Sequence, residues 1–187
     1  MDQAIEDRAD PASRDRAGSV AGRVGPLLLV AAVVFVLDQI TKALIRSWLA
    51  LGERWPQDFE LLRLSHVEND GAAFGILQGA GPLLVVTTVV AIALIMFTML
   101  RSDTYPRSQL YALALILGGA IGNLSDRLAR GSVTDFIDPT HYPSFNLADS
   151  AIVVGVAAIV VMTLLERTEN EPTEDEPAIE SSQDSPR

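Results

Sequence analysis

Residues Gly79 to Leu100 form a run of 22 residues without a charge, and this run limits the possible folds more than any other feature of the chain. A helix of ~20 residues, rising 1.5 Å per residue, spans ~30 Å, the thickness of a bilayer's hydrocarbon core. Soluble helices show one apolar stripe, whereas this segment is apolar on every side. Three further stretches resemble it. Val24 to Ile45 is interrupted only by Asp38 and Lys42, Ser108 to Leu128 is uncharged until Asp126, and Asp149 to Leu165 opens with a carboxylate and then stays apolar. A soluble four-helix bundle would need polar faces that the second stretch lacks. The expected fold is therefore an all-α polytopic membrane protein with four transmembrane helices, at about 24–45, 79–100, 108–128 and 149–165.

The charge balance supports this division. The 187 residues carry 24 Asp and Glu against 14 Lys and Arg, a net charge of −10. Residues 166–187 alone hold eight acids and two Arg, and residues 1–23 hold five acids and four Arg with no apolar periodicity. Both ends have the composition of disorder, which marks 1–23 as a disordered head, 24–165 as the membrane domain and 166–187 as an acidic disordered tail. The head precedes the first apolar stretch and no small-residue cleavage site follows it, so that stretch reads as a retained anchor. No Cys is present, which excludes disulfides, thiolate nucleophiles and Cys-ligated metals. Two His, His66 and His141, without an H-E-x-x-H leave little room for a zinc centre. The acidic balance argues against nucleic acid as a partner.

Four spans place both termini on one side of the membrane. That side has Arg8, Arg14, Arg16, Arg23, Arg101, Arg107 and Arg167 near the span ends; the other has Arg46, Arg54, Arg63, Arg127 and Arg130. The excess favours cytoplasmic termini. On the opposite side, residues 46–78 are long enough for structure of their own. Phe59 to Val67 alternates imperfectly and leads to the turn signal Asn69-Asp70-Gly71, so a short strand or hairpin is expected there.

An ionisable residue within a span costs at least ~2.5–3.5 kcal/mol at the bilayer centre. Asp38 and Lys42, four apart on one helix face, read either as a structural ion pair or as groups that orient a substrate or neighbouring helix. Asn123, Asp126 and Arg127 share a face of the third span, and Asp126 beside Arg127 could form a salt bridge. Gly118 and Gly122 have the small-xxx-small spacing that lets another helix approach closely. Asn146 with Asp149 three residues on resembles a helix N-cap and its N3 acid, which would favour the charged form of Asp149. Asp135 has no such support, and could remain protonated beside it. Two facing carboxylates cannot both ionise cheaply, and one charged with one protonated acid sharing a water can hydrolyse a peptide. The spacing permits this arrangement without requiring it.

Five blocks now resemble a known family, the lipoprotein signal peptidases or signal peptidase II. They are Asp38-Gln39-Ile40-Thr41-Lys42, His66 to Gly75, Gly118 to Arg127, Val133-Thr134-Asp135-Phe136 and Phe145-Asn146-Leu147-Ala148-Asp149. The resemblance implies a bacterial inner-membrane aspartic peptidase with four transmembrane helices and a small extracytoplasmic β-rich cradle, here about 46–78 with its alternating part at 52–75. It implies Asp135 and Asp149 as the catalytic pair, with Asp38, Lys42, Asn69, Asn123, Asp126, Arg127 and Asn146 in support. It also implies a diacylglyceryl-modified prolipoprotein substrate, cut just before the lipidated Cys, inhibition by globomycin, and no metal or organic cofactor. A monomer in contact with membrane lipid is expected. The sequence departs from the family in its polar head, its acidic tail and a 129–148 loop, over the site as a flap, that is short for the family.

Two other classes compete. A small transporter or proton-relay subunit would also place carboxylates in spans, but at several depths, whereas these cluster toward one surface. A non-enzymatic membrane scaffold would leave so many polar groups without a purpose.

Overall fold

The computed structural model describes residues 11–59, 61–71, 81–101 and 105–170. In chain order they form α1 (Pro11–Trp48), β1 (Arg54–Trp55), β2 (Leu62–Asn69), α2 (Gly81–Leu100), α3 (Arg107–Arg130), β3 (Val133–Pro139) and α4 (Leu147–Asn170). Within the helices, Gly22–Trp48, Gly81–Leu100, Arg107–Arg130 and Leu147–Thr168 are long and apolar enough to cross a membrane. These agree with the four expected spans to within a few residues. Helix α1 starts inside the segment expected as a disordered head, and α4 runs into the expected tail. The reason is physical: once a helix is nucleated, flanking Ala, Arg and Glu extend it at little cost. The remainder of the head and tail lies outside the described residues, as do Ala72 to Gly75 of the second block.

Helix α3 is the centre of the bundle and packs against each of the other three helices. Its middle is lined with small residues, and their effect can be measured by what a side chain would meet. A Cβ at Gly118 would lie 2.5 Å from the Ala31 carbonyl oxygen, and one at Gly122 would lie 2.6 Å from Asp38 Oδ2. Only glycine admits α1 this closely, so the small-residue spacing serves packing as expected. Leu27 and Ala31 of α1, Met99 of α2 and Leu110, Ala114 and Leu117 of α3 make the dry core beside it. Helix α2 buries only Met99 and leaves large side chains such as Leu83, Val86 and Leu94 on the outside. In water such a surface would be untenable; in lipid it is the ordinary outer face of a span.

At one end of the bundle the strands form a three-stranded antiparallel sheet in the order β1-β2-β3. Phe136 packs with Ile45 and Leu49 and seats the sheet on the end of α1. A T-shaped pair of Trp48 and Trp55, with ring centroids 5.1 Å apart, adds a second attachment. The expected strand before Asn69 is β2, but its long partner is β3, from the 129–148 segment expected as a flap loop. Val133, Thr134, Asp135 and Phe136 are all buried, so β3 is covered on both faces and shows no alternation in sequence. The β2-β3 register pairs Leu64 with Ile137 and then Val67 with Asp135, which leaves Ser65 and His66 together opposite Phe136. This is a β-bulge.

Candidate active site

The site is built around a buried lysine. Lys42 Nζ lies 2.9 Å from Asp38 Oδ2, 3.0 Å from Asp126 Oδ2 and 2.9 Å from Asn123 Oδ1. Lys42, Asp38 and Asp126 are almost wholly inaccessible. A lone buried ion costs several kcal/mol, so these charges persist only as a set. The i,i+4 pair expected on α1 therefore forms, and it takes in Asp126 from α3 as well. The adjacent pairing of Asp126 with Arg127 does not form, because successive helix residues point about 100° apart. Asp126 turns to Lys42, and Arg127 lines the cavity described below.

Donor and acceptor rules then orient the amides. Lysine has only donors, so Asn123 must present its oxygen to Lys42 and its NH2 elsewhere. That NH2 donates to Asp149 Oδ1 at 2.7 Å. At the start of α4, the Asp149 N–H donates to Asn146 Oδ1 at 2.9 Å, and the Asn146 N–H donates to Asp149 Oδ2 at 3.3 Å. This reciprocal pair is the capping box that the spacing suggested. It commits the Asn146 oxygen, so the Asn146 NH2 points away from the capped turn and donates to Asp135 Oδ1 at 2.7 Å and Asn123 Oδ1 at 3.2 Å. The other oxygen of Asp135 accepts from Asn69 Nδ2 at 2.9 Å. Asp38 Oδ1 accepts the Ala148 N–H at 2.9 Å and so satisfies another free donor of the first turn of α4.

All nine residues singled out from the sequence are thus brought together. Asp135 and Asp149 share a cavity of about 250 Å³, lined also by Asn69, Asn123, Arg127 and Tyr142. Asp135 stands on β3, where burial, aided by the charge of Asp149, pushes its pKa up to about 7 against the hydrogen bonds of Asn69 and Asn146. A carboxyl that exchanges its proton near neutrality, next to a second carboxylate, is suited to general acid–base work.

Sequence reasoning missed Gln39, whose Nε2 lies 3.2 Å from Asp38 Oδ2, 3.3 Å from the Gly122 carbonyl oxygen and 3.4 Å from Asp126 Oδ1. Its only signal was its place beside Asp38. Tyr142, Phe145 and Val133 of the cavity wall were also missed, since their roles depend on the path of β3 and the turn after it. The relay alternative loses its basis, because Asp38, Asp126, Asp135 and Asp149 belong to one network and α2 has no ionisable residue.

Comparison with known proteins gives the family. The family model for signal peptidase (SPase) II matches residues 30–165. The lipoprotein signal peptidase of Brevibacillus brevis is 41% identical over 145 residues, covering 76% of this chain and 97% of that protein. That of Caldanaerobacter subterraneus is 46% identical over 132 residues, covering 69% and 88%. A bacterial membrane enzyme solved in meso at 2.3 Å resolution superposes with a TM-score of 0.74 at 30% identity, over 81% of this chain and 94% of its own. A second, at 1.9 Å, gives 0.68 at 31% identity over 75% and 94%. With four spans, a small sheet at one end and a match over most of its length, the chain belongs to the signal peptidase II family of membrane aspartic peptidases.

Proposed function

We propose that Asp135 and Asp149 are the catalytic dyad, and that the substrate is a diacylglyceryl-modified prolipoprotein cut N-terminal to its lipidated Cys. The observation that carries this reading is the convergence of two carboxyls from different elements on one cavity, cross-linked by the amides of Asn123 and Asn146. Asp149, at a helix start with an amide and a backbone N–H on its oxygens, holds the negative charge. Asp135 holds the shared proton.

The steps balance as follows. Asp149 takes a proton from a water held between the acids, and the water oxygen bonds to the scissile carbonyl carbon. Asp135 gives its proton to the carbonyl oxygen, forming a neutral gem-diol. Asp149 then protonates the departing nitrogen, the C–N bond breaks, and Asp135 recovers a proton from a gem-diol hydroxyl. Arg127, Asn69 and Asn123, on the cavity wall, orient the peptide and the water.

The wall also contains Ile152 and Val153 of α4, and Val153 lies largely on the outer, lipid-facing surface. A substrate held in the membrane by its acyl chains can therefore approach sideways, lipid first. The Arg distribution supports cytoplasmic termini in a bacterial inner membrane, with the dyad toward the extracytoplasmic face. A globomycin-type inhibitor would compete for the same cavity. The test is cleavage of a lipidated precursor by purified protein, followed by mass shift. Asp135→Asn and Asp149→Asn should insert, fold and lose turnover; near-normal cleavage by either one overturns the assignment. If Asp126→Asn instead abolishes turnover while one of the two retains it, Asp126 belongs in the dyad.

A further inference from the structure

The β-bulge in β2 determines which side chain meets Asp135. Had the pairing continued unbroken from Leu64 and Ile137, His66 would stand opposite Asp135, Glu68 opposite Val133, and Asn69 opposite Ser132. Cross-strand partners share a face and a one-residue slip exchanges the faces. The unbroken ladder would therefore turn an imidazole and a carboxylate toward the dyad and Asn69 away from it. The extra residue reverses this. Val67 and Asn69 share the face of Asp135, and Glu68 pairs with Thr134 on the other face. The cavity wall shows the outcome, since Asn69, Val133 and Asp135 line it whereas Glu68, Ser132 and Thr134 do not.

A polar cluster on that other face holds the register. Glu68 accepts from the hydroxyls of both Ser132 and Thr134, the latter at 3.1 Å, and so grips β3 on either side of Val133. His66, within the bulge, has Nδ1 2.9 Å from the Leu49 carbonyl oxygen and Nε2 3.3 Å from Glu68 Oε1. Arg46 of α1 donates to Thr134 Oγ1 at 2.9 Å. The backbone of His66 is engaged too, with its N–H on the Glu53 carbonyl oxygen at 3.1 Å and its own carbonyl accepting from Gly52 at 2.8 Å. The bulge is thus anchored to the end of α1, to the segment before β1 and to β3.

We infer that Glu68, with His66, is a positioning residue for the dyad: it locks the bulged register that brings Asn69 to Asp135, without touching the substrate. Burial opposes the charge of Glu68, yet the hydrogen bonds from Ser132, Thr134 and His66 outweigh it and hold its pKa below the ordinary carboxylate value. A charged Glu68 is the form that accepts two hydroxyls at once. The inference rests on the assignment of Asp135 to the dyad.

The experiment is a double-mutant cycle of Glu68 and Asn69, read as kcat and KM on a diacylglyceryl-modified precursor. Glu68→Ala should lower kcat by about 10- to 100-fold, the effect of a displacement near 1 Å, and leave KM within about twofold. Glu68→Gln, which keeps the volume and can still accept one hydroxyl, should recover part of the loss. In the Asn69→Ala background, Glu68→Ala should cost little more, because the contact through which it acts is already gone. Full kcat in Glu68→Ala, or a double mutant whose loss is the product of the two single losses, overturns the inference. If Glu68→Ala does not fold, the same cycle is read with Glu68→Gln. Asp135→Asn runs alongside. Should it cleave normally the dyad reading fails, whereas an inactive Asp135→Asn with a fully active Glu68→Ala overturns only the positioning role.

Discussion

A lysine ammonium has donors and no acceptor, and Lys42 donates to Asn123 while it pairs ionically with Asp38 and Asp126. The contact with Asn123 passes orientation to the proposed dyad, because it decides which way Asn123 points and therefore what Asp149 receives. Asp135 is the group whose titration should be visible. Its pKa is raised from an ordinary 3.8 to about 7, chiefly by burial. Between those values the folded protein keeps a proton that the unfolded chain has released. Stability therefore falls as pH rises through this window, by up to about 1.4 kcal/mol per pH unit. Asp135→Asn cannot ionise and lacks this slope, although its amide faces at least one other amide at a constant cost. Unfolding of the two proteins from about pH 4 to 7 should show the variant gaining on the native protein as pH rises; parallel curves would contradict the raised value. With Asp135 as the proton donor, kcat should also fall above about pH 7, by about tenfold per pH unit.

At the scale of elements, the glycines of α3 connect packing to chemistry. Gly122 brings the backbone of α3 against the carboxylate of Asp38, so an added methyl would push on a group that also caps α4. Gly122→Ala should destabilise the protein by about 1–3 kcal/mol, as overpacking does. Gly22 of α1, with nothing within 4 Å of its Cβ position, provides the contrast. Gly22→Ala should be neutral or stabilising by up to about 1 kcal/mol. Thermal unfolding of both variants in one detergent checks the pair. The small-xxx-small spacing made this packing legible in the sequence, and the capping box of α4 was legible from Asn146 and Asp149 alone. That box also fixes the Asp149 carboxylate within reach of Asn123, and so serves the proposed dyad as well as the helix start. Strand β3 was not legible. Burial on both faces erases the alternation that reveals a strand, and its partner β2 lies far away in sequence. The β2-β3 bulge was hidden for the same reason, since only the partner strand shows that a residue is extra.

For the molecule as a whole, the four spans could be read from length and composition, while the meeting of nine polar residues could not. Spacing placed Asn123, Asp126 and Arg127 on one face, but the choice of Lys42 over Arg127 as the partner of Asp126 depends on how α1 crosses α3. The proposed dyad, Lys42, Asp38 and Asp126 all lie at the end of the bundle that carries the sheet. Beyond them, residues 24–37, 81–100, 108–122 and 150–165 have no Asp, Glu, Lys, Arg or His. The far half of the bundle is an insulator. On the proposed dyad, protons exchanged between Asp135 and Asp149 have no charged residue to carry them across it, so each turnover begins and ends with the same charge at the same depth. A reaction that carried one elementary charge across would gain or lose about 2.3 kcal/mol per 100 mV, roughly 50-fold in rate. Here hydrolysis is electrically silent: in sealed vesicles, an imposed potential of about 100 mV of either sign should leave the cleavage rate within about twofold of its unpolarised value.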